Sequence, residues 1–236
     1  MGWSSEHEEL RLWVEYARWP ATAKREEYEH RNLSFAIQDG EQRAVATGTF
    51  VEWEFNFPPE NWVEDNSRAG VPLMHWFVEC ADGWNQSSYE AAESVRTFWP
   101  DKDDDSPFNF GNVVIFDRLE IDAKTKSHSA AVWVLINRLI SRQFLERRRK
   151  HNRAAIILIK PFPLEYEGKV TKENRAEFER RRAAMIRHYR SRLGAQLLDD
   201  YSPDRWMWID TGCPIKPRKL RRKGARKNRS AAHIIA

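Results

Sequence analysis

The spacing of apolar residues predicts an irregular first half of the chain. Apolar positions three to four residues apart predict helices at residues 8–19 and 23–30. Pro20 separates the two, because a helix interior excludes proline. Alternating, β-branched or aromatic stretches then predict strands, followed by a short helix with helical spacing of its apolar residues. The strands are residues 33–38, 43–55 and 74–80, and the helix is residues 88–98.

The second half alternates strands and helices more regularly. Residues 113–121 predict a strand, and residues 154–159 are a continuous apolar run, which is typical of a strand buried on both faces of a sheet. Helices are predicted at residues 129–150 and 172–193, with Gly194 placed to end the second. Short closing strands follow at residues 196–198 and 206–209. This order predicts an α/β (α+β) fold, in which helices flank a mixed, mostly antiparallel sheet.

The turn that follows the strand at residues 113–121 is the most informative local feature. It leads into a helix whose first residues, from Ser129 onward, are small or hydroxylated. The first N–H groups of a helix have no partner within the helix, and the helix dipole favours negative charge there. We therefore expect a phosphate or diphosphate group of a cofactor to bind at this turn.

Residues 113–210 resemble the core of the GNAT superfamily of N-acetyltransferases in their strands, their helices and the Leu193-Gly194 pair. That family binds the diphosphate of acetyl-CoA through an Arg/Gln-x-x-Gly-x-Gly/Ala turn. In this chain Lys126 takes the basic position and Ser129 that of the first glycine. Lysine keeps the charge but not the forked geometry of arginine. The resemblance implies acetyl-CoA, or another acyl-CoA, bound by Lys126, Ser127, His128, Ser129, Ala130 and Ala131, with the pantetheine arm along the backbone of Leu119 and Ile121.

The resemblance also implies an N-acyltransferase that acts on a primary amine of a small molecule, a protein or an aminoacyl-tRNA. In the family a tyrosine shortly before the Leu-Gly pair often protonates the departing thiolate. Tyr189 stands five residues before Gly194, one more than in the commonest form, where Arg190 would fall. Tyr189 is therefore the candidate acid; its alternative role is core packing in the apolar stripe of its helix.

Candidates for the catalytic base lie on or after the preceding strand. Glu120 flanks the expected acyl site and could take a proton from the amine, or could be a plain carboxylate of the sheet surface. Asp117 and His128 are weaker choices. No metal is expected, since the seven histidines never reach a ligand spacing such as H-x-x-x-H.

The net charge of +4 is unevenly distributed, because a basic C-terminal tail follows a part of the chain with an excess of acidic residues. Without the nine basic residues of the tail, 30 of the 39 Lys and Arg residues remain against 35 acidic ones, a net charge of −5. The tail could bind RNA, DNA or an acidic partner, or could serve solubility alone. An alternative function follows, a catalytically inactive GNAT scaffold that binds through its tail. The tail residues are Lys216, Arg218, Lys219, Arg221, Arg222, Lys223, Arg226, Lys227 and Arg229.

These patterns divide the chain into an N-terminal helical segment (residues 1–32), a GNAT-like domain (residues 33–212) and a basic disordered tail (residues 213–236). No apolar run approaches the roughly 20 residues that span a bilayer, so no membrane association is expected. The acidic N-terminus does not predict a secretory signal. Two isolated cysteines favour a reducing compartment, and we expect a cytoplasmic protein.

Overall fold

The computed structural model describes residues 3–7, 10–17, 29–54, 77–78, 81–82, 86–100, 106–122, 129–146, 153–198 and 205–218. Eight strands in these ranges form a single sheet in the order β1-β2-β3-β4-β5-β6-β8-β7. Strands β5 and β6 run parallel, and the other neighbouring pairs in the described sheet are antiparallel. The predicted mixed, mostly antiparallel α/β fold is confirmed. The strands are β1 (Trp3–His7), β2 (Leu10–Ala17), β3 (Glu29–Gln38), β4 (Ala44–Glu54), β5 (Asn112–Ile121), β6 (Ala154–Ile159), β7 (Gln196–Leu197) and β8 (Met207–Ile209).

Among the described residues, three long helices cover the two faces of the sheet: α1 (Gln86–Phe98), α2 (Ser129–Ile140) and α3 (Arg175–Leu193). Alternate residues of β5 point to opposite faces, as strand geometry requires. Val114 and Phe116 pack with α2 and α3, whereas Val113 and Ile115 pack with α1. The sheet is therefore buried on both sides around β5 and β6, and all six residues of β6 are buried.

The predicted helices near the N-terminus are wrong where the structure describes them. Residues 10–17 form β2, in which Leu10, Leu12 and Val14 are buried and the residues between them are exposed. This is the two-residue period of a strand, and pairing with β3 satisfies its backbone. Residues 29–30 belong to β3, and residues 23–28 lie outside the described part. The predicted division at residue 32 falls inside β3, so β1 to β3 belong to the central sheet.

Two other predicted elements differ from the structure. A strand was expected at residues 74–80, but Phe77 and Val78 have helical backbone, and residues 74–76 and 79–80 are not described. Phe77 packs edge-on against Trp53, with ring centroids 5.5 Å apart. The helix expected at residues 129–150 is α-helical to Ile140 and continues as a π-helical turn, Ser141–Leu145.

The first residues of the predicted tail are not disordered. Cys213 is buried in the core cluster that contains α1, and Ile215 packs against that cluster. The backbone N–H of Arg218 donates a hydrogen bond to the carbonyl of Phe98 at 2.6 Å. Residues 213–218 are thus part of the folded body, because their apolar side chains have a place in its core. Residues 219–236 lie outside the described ranges.

Candidate functional site

Strands β5 and β6 separate at one end of their ladder and form a fork in the sheet. Phe116 and Ile159 are the last paired residues, yet β5 continues to Ile121. On the other side of the fork, the chain after Ile159 contains Pro161 and Pro163. Proline has no backbone N–H and cannot extend a ladder, so β6 ends there. The edge of β5 beyond Phe116 is left without a neighbouring strand on this side among the described residues.

A β-bulge lies at the start of this free edge. Phe116 pairs with Phe50 and Arg118 pairs with Thr49, so Asp117 has no residue opposite it on β4. A bulge of this kind bends a strand and changes the direction in which its side chains point. Asp117 is half-buried, in contrast to the exposed Arg118 that follows it.

Two cavities open at the fork, and we call them the larger and the smaller cavity. The larger cavity has a volume of about 560 Å³ and the smaller cavity about 350 Å³. Five residues, most of them apolar, line both cavities. They come from β5, from the segment between β6 and α3, and from α3: Leu119, Phe162, Leu164, Met185 and Tyr189. The fork is therefore the place where two ligands could approach each other from opposite sides.

The larger cavity lies between β5 and the helices α2 and α3. Ser129, the first residue of α2, lines it, together with Glu120 and Ile121 of β5. The first N–H groups of α2, which have no partner within the helix, thus lie beside a cavity that also borders the edge of β5. The remaining lining residues are Trp133, Pro163, Glu165, Arg181 and His188.

The smaller cavity lies toward α1 and is more strongly charged. Its lining includes two ion pairs, Lys160 with Glu90 and Arg118 with Glu167, the second at 3.0 Å. Asp117 also lines this cavity. The remaining lining residues are Gln86, Ser87, Phe116 and Gly168.

Tyr189 lies where the two cavities meet. It is 5% exposed, and its ring contacts Trp133 edge-on with centroids 6.1 Å apart. Burial raises the pKa of the Tyr189 hydroxyl above its ordinary value, because desolvation disfavours the phenolate. The side chain packs in the core and also lines both cavities. Arg190, the next residue along α3, is exposed.

The remaining predicted site residues lie partly along the larger cavity, partly on α2 and partly outside the described residues. Leu119 and Ile121 both line the larger cavity, as does Ser129. Ala130 is exposed, and Ala131 is buried in the core. Lys126, Ser127 and His128 lie outside the described residues. Glu120 is exposed and lines the larger cavity but not the smaller one.

Sequence reasoning missed most of the smaller cavity. From the sequence Asp117 is a weaker candidate for the base than Glu120, and the Lys160–Glu90 ion pair joins residues 70 positions apart. The bulge at Asp117 depends on how β4 pairs with β5, which the local sequence does not encode. The residues Lys160-Pro161-Phe162-Pro163 were the available signal, since they predict a strand end and hence an opening.

Only the start of the predicted nucleic-acid segment is described. Lys216 forms an ion pair with Asp210, and its ammonium group lies 5.8 Å from the centre of the Trp208 ring. The basic residues from Lys219 to Arg229 lie outside the described ranges. Among the residues that the structure describes, no three His, Cys, Asp or Glu side chains gather as metal ligands would, and no helix has the length and apolar character to cross a membrane.

No family model, no curated protein and no solved structure matches this chain. Its function is therefore argued from the fork and the two cavities.

Proposed function

We propose that this chain is an acyl-CoA-dependent N-acyltransferase of the GNAT type, in which an acyl-CoA occupies the larger cavity and an amine enters the smaller one. The observation that carries the proposal is the fork itself. A free strand edge, a helix start and a buried tyrosine border two cavities with a common wall. Acyl transfer needs donor and acceptor to meet in a near-attack geometry, and two adjacent cavities that share lining residues would bring them together.

The larger cavity fits an acyl-CoA in three respects. The edge of β5 from Asp117 to Ile121 offers backbone N–H and C=O groups to the amides of a pantetheine arm. The start of α2 at Ser129 offers N–H groups and a favourable dipole to a diphosphate. The apolar wall, with Leu119 and Met185, suits the alkyl parts of the arm. Serine rather than glycine at position 129 leaves the backbone accessible, since its side chain is small and polar.

Acetyl-CoA, when bound, supplies an activated thioester. The transfer forms one C–N bond and breaks one C–S bond. We assign to Asp117 the removal of a proton from the ammonium group of the acceptor, which leaves the neutral amine that attacks the thioester, because Asp117 lines the smaller cavity whereas Glu120 lines only the larger one. Tyr189 would donate its hydroxyl proton to the departing sulfur, and the second proton that the nitrogen loses as the amide forms would restore the phenol. Asp117 lies at the bulge of β5 and Tyr189 contacts Phe116 from α3, so both residues lie at the end of the β5–β6 ladder.

The first test is the stability of the full chain with and without acetyl-CoA. A ligand present at a hundred times its dissociation constant stabilises the folded state by about 2.7 kcal/mol. For a chain of this length, this corresponds to a rise in melting temperature of about 5–10 °C. Millimolar acetyl-CoA that leaves the melting temperature unchanged would contradict the proposal.

The assignment of the base is tested by two charge-neutral variants. Asp117→Asn should lower kcat for acetylation of an amine at pH 7 by about 100-fold, the usual contribution of general base catalysis. Glu120→Gln should leave kcat within a few-fold of the wild type. If the two variants behave in the opposite way, Glu120 is the base.

A further inference from the structure

We infer that the smaller cavity accepts a compact cationic amine, a primary ammonium group on an apolar body that carries no anionic group. The inference rests on the proposed function, in that the smaller cavity is taken as the acceptor side of the fork. It narrows the acceptor from any primary amine to one chemical class.

The charges of the smaller cavity favour a cation. Its lining carries three acidic side chains, Glu90, Asp117 and Glu167, and two basic ones, Lys160 and Arg118. Each basic group already has a carboxylate partner: Lys160 pairs with Glu90, and Arg118 pairs with Glu167. Asp117 forms no ion pair with any other residue in the described part of the chain. The lining therefore has one carboxylate in excess, and an ammonium group is its natural counterion.

Lys160 is held too firmly to bind an acidic substituent of the acceptor. Besides its bond to Glu90, its ammonium group lies 5.8 Å from the centre of the Phe162 ring and 5.9 Å from that of Trp206. Lys160 is only partly exposed, with 22% of its side chain accessible. A carboxylate or phosphate that approached Lys160 would also meet the carboxylate of Glu90, which repels it. The same charges disfavour a polyanionic acceptor such as a tRNA.

The apolar side chains of the lining determine what kind of body can carry the ammonium group of the acceptor. Phe116, Leu119, Phe162, Met185 and Tyr189 surround the cavity. A volume of about 350 Å³ is at the lower end of the range for small-molecule sites. An aromatic or alkyl amine would bury its body against these side chains and place its nitrogen at Asp117. Tyr189 belongs to the wall shared with the larger cavity, so that nitrogen faces the acyl site.

The test measures binding of three matched probes to the full chain by calorimetry. Phenethylamine carries the ammonium group, 2-phenylethanol is its neutral analogue, and phenylalanine adds a carboxylate. Tryptamine with tryptophol and hexylamine with hexanol extend the comparison to other apolar bodies. At least one amine should bind about tenfold or more tightly than its neutral analogue, and phenethylamine about tenfold more tightly than phenylalanine. This comparison uses the wild-type chain and does not depend on the folding of a variant.

Asp117→Asn then locates the site, with Glu15→Gln as the matched control. Glu15 is an exposed carboxylate on β2, three strands away from β5. Amine binding should weaken about tenfold in Asp117→Asn and stay unchanged in Glu15→Gln. The inference is overturned if no amine binds better than its neutral analogue, if phenylalanine binds as well as phenethylamine, or if Asp117→Asn has no effect.

Binding of acetyl-CoA is measured in parallel. Amine binding at Asp117 without acetyl-CoA binding would support the amine site and contradict the transferase, and the reverse result would contradict the amine site alone.

Discussion

The rings of Tyr189 and Phe116 meet at the fork of the sheet, with centroids 6.4 Å apart and ring planes inclined by 44°. Phe116 is the last residue of β5 that pairs with β6, and Tyr189 reaches it from α3. This contact closes the apolar core beneath the two cavities. It also holds the tyrosine ring near the point where β5 and β6 separate, which is where the proposed transfer takes place.

Tyr189→Phe should lower kcat by about 100-fold or more while leaving the dissociation constant of acetyl-CoA nearly unchanged. The ring and its packing are retained, and the proton donor is lost. Steady-state kinetics with a reactive amine, combined with a binding measurement, separates the two effects. Tyr166→Phe is the matched control, because Tyr166 packs against Phe178 and lines neither cavity. A kcat equal to that of the wild type in Tyr189→Phe would show that this hydroxyl is not the acid.

The same residue should make the fold sensitive to alkaline pH. An unfolded tyrosine ionises near pH 10, whereas burial raises the pKa of Tyr189 above that value. The stabilisation is thus complete below pH 10 and is lost as the pH rises further, since the unfolded state alone releases the proton. The melting temperature of the wild type should fall more steeply between about pH 9.5 and 11.5 than that of Tyr189→Phe. Parallel curves for the two proteins would contradict the burial of this hydroxyl.

Much of the second half of the chain could be predicted from its sequence. The predicted bounds of β6 are confirmed. A strand that is buried on both faces is a continuous apolar run, so its ends are visible in the sequence. Gly194 ends α3 in the left-handed region, with φ of 66°, as the glycine predicts. In these elements local sequence and tertiary packing favour the same structure.

The first half could not be predicted in the same way. In β2, Trp13 is 51% exposed between the buried Leu12 and Val14, so a large apolar residue occupies a solvent position and disguises the two-residue period. The spacing of its apolar residues then fits a helix as well as a strand, and only the pairing with β3 decides between these two structures. The bulge at Asp117 was hidden for a similar reason, because it depends on the register between β4 and β5.

Gly48 on β4 supports the free edge of β5, and its replacement by alanine should be destabilising. A Cβ atom at this position would lie 2.5 Å from the Phe35 ring and 2.6 Å from the carbonyl oxygen of Arg118. Relief of this overlap would displace β5 or the ring, at a cost of about 1–3 kcal/mol. Urea denaturation measures the loss. Gly40→Ala is the control, since a Cβ atom there meets nothing within 4 Å and should leave the midpoint nearly unchanged. Equal midpoints for the two variants would contradict the close approach of β4 and β5.

The boundary of the basic tail is tested by two truncations. A chain that ends at Arg218 keeps the packing of Cys213 and Ile215 and the hydrogen bond to Phe98, so it should melt like the full chain and bind acetyl-CoA equally well. A chain that ends at Pro214 loses Ile215 and that hydrogen bond, and it should melt at a lower temperature. Any affinity for RNA should fall in both truncations, and the salt dependence of RNA binding should become shallower. If the truncation at Arg218 binds RNA as the full chain does, the tail has no part in it.

Titration calorimetry of acetyl-CoA into the full chain tests most directly whether the fork is a cofactor site. One molecule should bind per chain, and Ser129→Asp should abolish binding by placing a negative charge beside the diphosphate. Val134→Asp introduces the same charge at an exposed position of the same helix and should bind acetyl-CoA like the wild type. Saturable binding that is lost in Ser129→Asp alone is the predicted result. An absence of binding to the wild type, or equal binding to all three proteins, would contradict the assignment of the fork as the acyl-CoA site.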